Sequence, residues 1–171
     1  LNFAKNLLLK KDSTSAIVFW GEDKYKSTLT HLELYNQVAN LSDWLTNNGV
    51  QKGDRVAGLL PNMPEAVVSM LATASIGAIW TSCSPDFGVQ GVLDRFNQVE
   101  PKVFIGVDAY LYNGKIFNCL EKNKNIISKL SSVKKTLLVR YIDQEAIFDN
   151  SVSYSLFNQI VSQEIVSELS F

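Results

Sequence analysis

Short apolar runs alternate with segments of helical periodicity along most of the chain. The apolar runs predict strands at residues 56–60, 78–82, 103–107 and 135–139. Helices are predicted between them, at residues 62–77, 89–99 and 116–130. Strands that alternate with helices of about ten or more residues indicate right-handed crossovers and a mostly parallel sheet with helices on both faces. Continuously apolar runs are typical of strands buried on both faces, so the sequence predicts an α/β fold.

The beginning of the chain follows another pattern. An apolar run at residues 16–20, a turn at 21–24 and alternating polarity at 25–28 predict a hairpin. Thr30 and Glu33 have the spacing of a capping box, which predicts a helix ending near Gly49. The tail has a loop pattern at residues 142–152 and short helical patterns at 154–160 and 164–169. We therefore divide the 171 residues into a hairpin and helix (1–52), a βαβ core (53–140) and a poorly defined tail (141–171).

Composition narrows the classes of protein. A length of 171 residues fits one domain or a piece of a larger one. With 16 basic and 17 acidic residues scattered along the chain, nucleic acid and anionic membranes are not expected partners, and no apolar run approaches the ~20 residues that span a bilayer. Two cysteines without a CxxC pair or a secretory signal indicate a cytoplasmic protein. Because the chain starts at Leu1 and stops after an apolar periodic segment, we expect a larger functional unit.

Residues that could carry catalysis are scarce. His31 is the only histidine and is predicted to be a helix-end residue, while Cys83 and Cys119 are predicted to be small buried hydrophobic residues. A phosphate-loop reading of residues 113–115 fails because Ile116 stands where Ser or Thr should hold magnesium. We therefore predict no catalytic residue and no metal site in this chain.

One turn is unusual: residues 84–88, which we call the SPDFG turn. It follows a predicted strand and precedes a predicted helix. Open parallel sheets bind ligands beyond the carboxyl ends of their strands, so this is a candidate binding segment. The alternative is an ordinary turn, in which Pro85 sets φ and Asp86 caps the next helix.

Residues 53–107, and above all the run SCSPDFGVQGVLDRFNQVEPKV, resemble the adenylate-forming acyl-CoA synthetases. Residues 1–7 and 107–115 are also similar, so the resemblance covers about residues 1–140. It implies that the chain is part of the large N-terminal domain of an enzyme that uses ATP, Mg²⁺ and CoA to ligate a carboxylic acid to the CoA thiol. The family's Ser/Thr/Gly-rich phosphate loop is absent, since no Ser-Gly, Thr-Gly or Gly-Thr pair occurs. The acidic ribose-binding motif and the catalytic lysine of the family are missing too. The chain alone is therefore not expected to ligate a substrate, and neither ATP, CoA nor Mg²⁺ is expected to bind tightly to it.

The same resemblance implies two CoA-binding segments. Ser84, Pro85, Asp86 and Phe87 would lie along the CoA channel. Residues 112–115, which we call the YNGK turn, would approach the nucleotide end of CoA with Tyr112, Asn113, Gly114 and Lys115. Some relatives have arginines at the first and last of these positions. Lys115 can pair with a phosphate as a point charge without the bidentate geometry of Arg, or it can be a solvated loop lysine.

Two other classes of function stay open. The chain could be a non-catalytic interaction module that associates with itself or a partner through an uncovered sheet edge or apolar face. It could also be a CoA- or nucleotide-binding module without ligase chemistry.

Overall fold

The computed structural model describes residues 2–22, 24–164 and 168–169. In chain order the elements are α1 (Phe3–Leu7), β1 (Ser15–Gly21), β2 (Tyr25–Thr30), α2 (His31–Asn47), β3 (Arg55–Leu59), α3 (Pro64–Ser75), β4 (Ile79–Cys83), α4 (Val89–Val99), β5 (Val103–Val107), β6 (Ala109–Tyr112), β7 (Lys115–Asn118), α5 (Leu120–Ile127), β8 (Lys135–Val139), β9 (Ser155–Leu156) and α6 (Phe157–Val161). A five-stranded parallel sheet in the order β4-β3-β5-β8-β9 forms the centre. The predicted α/β class is confirmed.

Helices cover both faces of this sheet, as predicted. Along β5, Val103 and Ile105 point to the face that packs against α2 and α3, where Leu41 is fully buried. Phe104 points to the opposite face, where it meets Phe96 of α4 edge to face with ring centroids 6.3 Å apart. Because consecutive strand residues face opposite sides, a continuously apolar strand fills two cores at once.

The predicted hairpin and the first long helix are confirmed. β1 and β2 pair antiparallel, and the Thr30 hydroxyl accepts a hydrogen bond from the Glu33 backbone N–H at 3.2 Å. The Glu33 carboxylate in turn accepts the Thr30 backbone N–H at 2.7 Å, which completes the capping box. After α2, Gly49 adopts a φ of 81°, a left-handed conformation that costs glycine little.

The helix predicted at residues 116–130 is wrong over its first four residues. β6 and β7 pair there as an antiparallel hairpin, and α5 begins only at Leu120 with Cys119 as its N-cap residue. Asn113 and Gly114, with φ of 50° and 73°, form the two-residue turn that suits a hairpin twist. A short apolar run is ambiguous between helix and strand, and here pairing across the turn decides it.

The ends of the chain hold smaller differences. A short helix, α1, precedes the hairpin and was not predicted. The helix predicted at residues 154–160 begins instead with β9, which adds to the edge of β8 before α6 starts. The helical pattern at 164–169 lies partly outside the described residues. Within the described part of the chain, every helix is too short or too polar to cross a membrane.

Candidate functional site

The SPDFG turn leaves the carboxyl end of β4, the strand at one edge of the sheet, and leads into α4. The carboxyl ends of β3, β5 and β8 point to the same side because all these strands are parallel. This side is where open α/β sheets bind ligands. The turn therefore lies at the location expected for a binding segment.

Two residues of the SPDFG turn bond to each other. The Ser84 hydroxyl donates to the Asp86 carboxylate at 2.8 Å, and the Asp86 backbone N–H donates to the Ser84 hydroxyl oxygen at 3.3 Å. The hydrogen bond from Ser84, followed by one from Tyr110, lowers the pKa of Asp86. α4 begins after Gly88 without any side-chain cap, so the alternative role of Asp86 as a helix cap is wrong.

Lys122 and Tyr110 hold the SPDFG turn in place, and sequence reasoning missed both. The Lys122 ammonium, from α5, donates to the Pro85 carbonyl oxygen at 2.6 Å. Burial and the hydrogen bond to Asp86 raise the pKa of the Tyr110 phenol to about 12. Lys122 lies 37 residues from Pro85 in the chain, so no local sequence pattern could indicate this contact.

The Phe87 ring is presented to solvent, with 40% of the residue exposed. The Arg95 guanidinium lies over this ring, 4.4 Å from its centroid, and also donates to the Gly91 carbonyl oxygen at 2.7 Å. This stack holds the ring between α4 and solvent. The cation–π contact with Phe87 is what ties Arg95 to the candidate site.

The YNGK turn is the tip of the β6–β7 hairpin. Tyr112 is 63% exposed, and Lys115 is exposed beside it. The backbone N–H groups of Asn113 and Gly114 donate to the two carboxylate oxygens of Glu22, at 2.6 Å and 2.7 Å. This turn therefore binds an anion in the structure itself.

The β6–β7 hairpin is what relates the two turns. Tyr110, at its base, contacts the SPDFG turn through Asp86 and stacks on Phe117 with ring centroids 5.2 Å apart. The YNGK turn is at the other end of the same hairpin. Both predicted segments thus extend from the carboxyl side of the sheet and share one supporting element.

Two cavities of about 200 Å³ are both lined in part by Phe19 and Tyr141. One is bounded by Glu22, Pro61 and Leu111. The other contains Glu65, where burial raises the carboxyl pKa and Oε2 has no hydrogen-bond partner. A larger cavity of about 620 Å³ lies against α5 and β8, and Lys122 is part of its lining.

The remaining titratable candidates do not form a catalytic group. Burial raises the pKa of the Cys83 thiol and raises that of Cys119 to about 11, which makes both poor nucleophiles at neutral pH. His31 is the first residue of α2, as predicted. Among residues 2–22, 24–164 and 168–169, no three His, Cys, Asp or Glu side chains are grouped so that they could hold a metal ion.

An open parallel sheet with an anion-holding turn and exposed aromatic rings at its carboxyl side is the arrangement found in nucleotide- and cofactor-binding α/β domains. The family model of the AMP-binding enzymes matches residues 8–164. The chain belongs to this family, and the resemblance to the adenylate-forming acyl-CoA synthetases is confirmed.

Individual similar proteins indicate which members of the family this chain resembles. The acetoacetyl-coenzyme A synthetase of Rhizobium meliloti (strain 1021) is 53% identical over 137 residues, which cover 80% of this chain and 20% of that protein. The acetoacetyl-CoA synthetase of Rattus norvegicus is 42% identical over 160 residues, covering 92% and 24%. The solved acetoacetyl-CoA synthetase of Streptomyces lividans superposes with a TM-score of 0.88 at 37% identity, over 99% of this chain and 26% of that one. The chain thus spans about a fifth to a quarter of the length of these relatives.

Proposed function

We propose that this chain is part of a cytoplasmic acid–thiol ligase that converts acetoacetate, ATP and CoA into acetoacetyl-CoA, AMP and pyrophosphate. The observation that carries the proposal is the likeness to acetoacetyl-CoA synthetases over 80% or more of the chain. The location of the SPDFG turn at the carboxyl end of β4 is consistent with it.

In this proposal the chain contributes part of the route for CoA. The exposed Phe87 and Tyr112 rings offer apolar surface for the pantetheine arm or the adenine. The Asn113 and Gly114 amides already bind a carboxylate, so they fit a phosphate, and Lys115 adds a positive charge next to them. Lys122 and Tyr110 act as positioning residues for the SPDFG turn.

ATP chemistry would be supplied by other parts of the enzyme. The 171 residues contain no Ser-Gly, Thr-Gly or Gly-Thr pair of the kind that forms the family's phosphate loop. We therefore expect this chain alone to show no ligase activity.

The first experiment is to measure the mass of the native gene product with an antibody raised against this chain. A product several times larger than 19.1 kDa is expected. That product should exchange labelled pyrophosphate into ATP when acetoacetate is present, and more strongly than with acetate. Absence of acetoacetate-dependent exchange would refute the proposed acid, and a native product near 19.1 kDa would favour a non-catalytic binding or interaction module.

The CoA route is tested in the same product with the double change Asp86→Asn and Phe87→Ala. Pyrophosphate exchange precedes CoA attack and should be unchanged. The KM for CoA should rise about fivefold or more, as expected for the loss of about 1 kcal/mol of contact. Asp94→Asn, on the exposed side of α4, is the matched control and should alter neither value. An unchanged KM for CoA in the double variant would show that the SPDFG turn does not line the channel.

A further inference from the structure

Glu22 makes a contact with a segment far from it in the chain. It lies between β1 and β2, at an exposed position, and its carboxylate accepts one hydrogen bond from each of two adjacent backbone amides, those of Asn113 and Gly114. The contact joins residues 91 and 92 positions apart in the chain. It connects the tip of one hairpin to the tip of the other.

These two amides are available because of the type of turn. In a two-residue hairpin turn the strand ladder ends at the flanking pair, here Tyr112 with Lys115. The N–H groups of the two central residues then point outward together. Adjacent N–H groups of this kind form an anion-binding concavity, and the two short contacts of 2.6 Å and 2.7 Å show that it accepts a bidentate anion.

A phosphoryl group has the same hydrogen-bonding requirement as the Glu22 carboxylate. Both present two or more negatively charged oxygens, and the two amides can saturate only one such anion at a time. A ligand phosphate near Lys115 would therefore have to displace Glu22. Until Glu22 leaves, its negative charge would also repel the phosphate. While Glu22 occupies the amides, they cannot bind phosphate. The apparent association constant for phosphate is therefore the intrinsic constant multiplied by the fraction of time that the amides are free.

We propose that Glu22 is an intramolecular latch on the phosphate-binding amides of the YNGK turn, released when a ligand phosphoryl group takes its place. Identifying that ligand as CoA rests on the proposed function, whereas the latch itself needs only a phosphoryl anion. Release frees the tip of the β1–β2 hairpin from the tip of the β6–β7 hairpin. Binding of the phosphate and movement of the first hairpin are therefore coupled.

The test is a titration of the isotopically labelled chain, followed by the amide signals of Asn113 and Gly114. The probes are inorganic phosphate, CoA and dephospho-CoA. In Glu22→Gln the Kd for CoA should fall about fivefold or more, the low end of typical coupling between competing sites. The matched control is Glu100→Gln, because Glu100 is also an exposed glutamate with positive φ, 49° against 48° for Glu22, but it lies between α4 and β5, at the amino ends of the strands. It should leave the Kd unchanged.

Glu22→Asp separates displacement from simple repulsion, because it keeps the charge on a side chain one methylene shorter. If the latch holds, this variant loses the two amide contacts and also binds the probe more tightly than the wild type. A Glu22→Asp chain that loses the contacts but binds with wild-type affinity would overturn the latch in favour of repulsion alone. Equal Kd values for Glu22→Gln and Glu100→Gln would also overturn it, as would CoA or phosphate binding that leaves the two amide signals unmoved.

The three probes separate this inference from the proposed function. Tightening with inorganic phosphate supports the latch even when the native product shows no ligase activity. Tightening with CoA but not with dephospho-CoA assigns the 3′-phosphate to the turn, and equal tightening with both assigns the diphosphate. If none of the three probes binds the Glu22→Gln chain more tightly, the latch is wrong, whatever the activity of the native product.

Discussion

Asp108 is the residue whose removal should most clearly expose how the carboxyl edge of the sheet is held. It follows β5, is only 1% exposed, and its carboxylate accepts the backbone N–H groups of three consecutive residues after β8. The shortest contacts are 2.8 Å from Tyr141 and 2.6 Å from Asp143. One carboxylate thus fixes the segment that carries Tyr141, a residue that lines both small cavities.

The magnitude follows from the three donors. A hydrogen bond to a charged group contributes about 1.5–3 kcal/mol, and a buried donor left without a partner costs about 1–3 kcal/mol. The donors are adjacent and water can enter the vacated space, so their contributions do not simply add. We expect Asp108→Ala to lower the free energy of unfolding by about 3–5 kcal/mol, and Asp108→Asn, which keeps one acceptor, by about 2–3 kcal/mol.

The assay is urea unfolding at neutral pH, followed by circular dichroism, with the slope against urea compared between variants. Asp94→Ala removes the same charge from an exposed position on α4 and should change the free energy of unfolding by no more than about 0.5 kcal/mol. If Asp108→Ala lost less than about 1 kcal/mol with an unchanged slope, the three N–H contacts would not be what holds this segment.

Three further outcomes are expected. Lys122→Met removes the ammonium that donates to the Pro85 carbonyl oxygen, so hydrogen exchange of the amides in the SPDFG turn should accelerate about tenfold. Lys129→Met is the control and should leave the exchange rate unchanged. Equal exchange rates in the two variants would contradict the role of Lys122. Burial raises the pKa of Glu65 above its ordinary value of 4.5, so its contribution to stability is fully present below the unfolded pKa and is lost as pH rises through the folded pKa. Urea unfolding should therefore show a decline with rising pH that Glu65→Gln lacks, and parallel profiles would refute this. Phe96→Ala empties a fully buried site and should cost about 3–5 kcal/mol in the same assay, whereas a loss below about 1 kcal/mol would mean that α4 does not pack as described.

Local sequence patterns were sufficient for most of the sheet and its helices. α4, β5 and β8 have the predicted bounds, and the capping box of α2 is present, because each depends on residues within one or two turns of one another. The family resemblance was equally readable from a contiguous run of residues, and the family match confirms it. The CoA-binding roles of the two turns remain predictions.

The errors and omissions share a physical cause. Residues 116–118 of β7 were predicted as the start of a helix, because a short apolar run fits either structure and pairing across the Asn-Gly turn decides between them. β9 forms only because the edge of β8 is available to it. Neither outcome is encoded in the periodicity of the segment itself.

The sequence by itself determined the class of fold, the family and the location of the two candidate turns, because these depend on local periodicity and contiguous motifs. Only the tertiary structure decided which residues hold the SPDFG turn and which side chain binds the amides of the YNGK turn. Lys122 reaches Pro85 across 37 residues, and Glu22 reaches the YNGK turn across more than 90. Contacts at such separations depend on how the hairpins and helices pack, and that packing leaves no periodic signal in the chain.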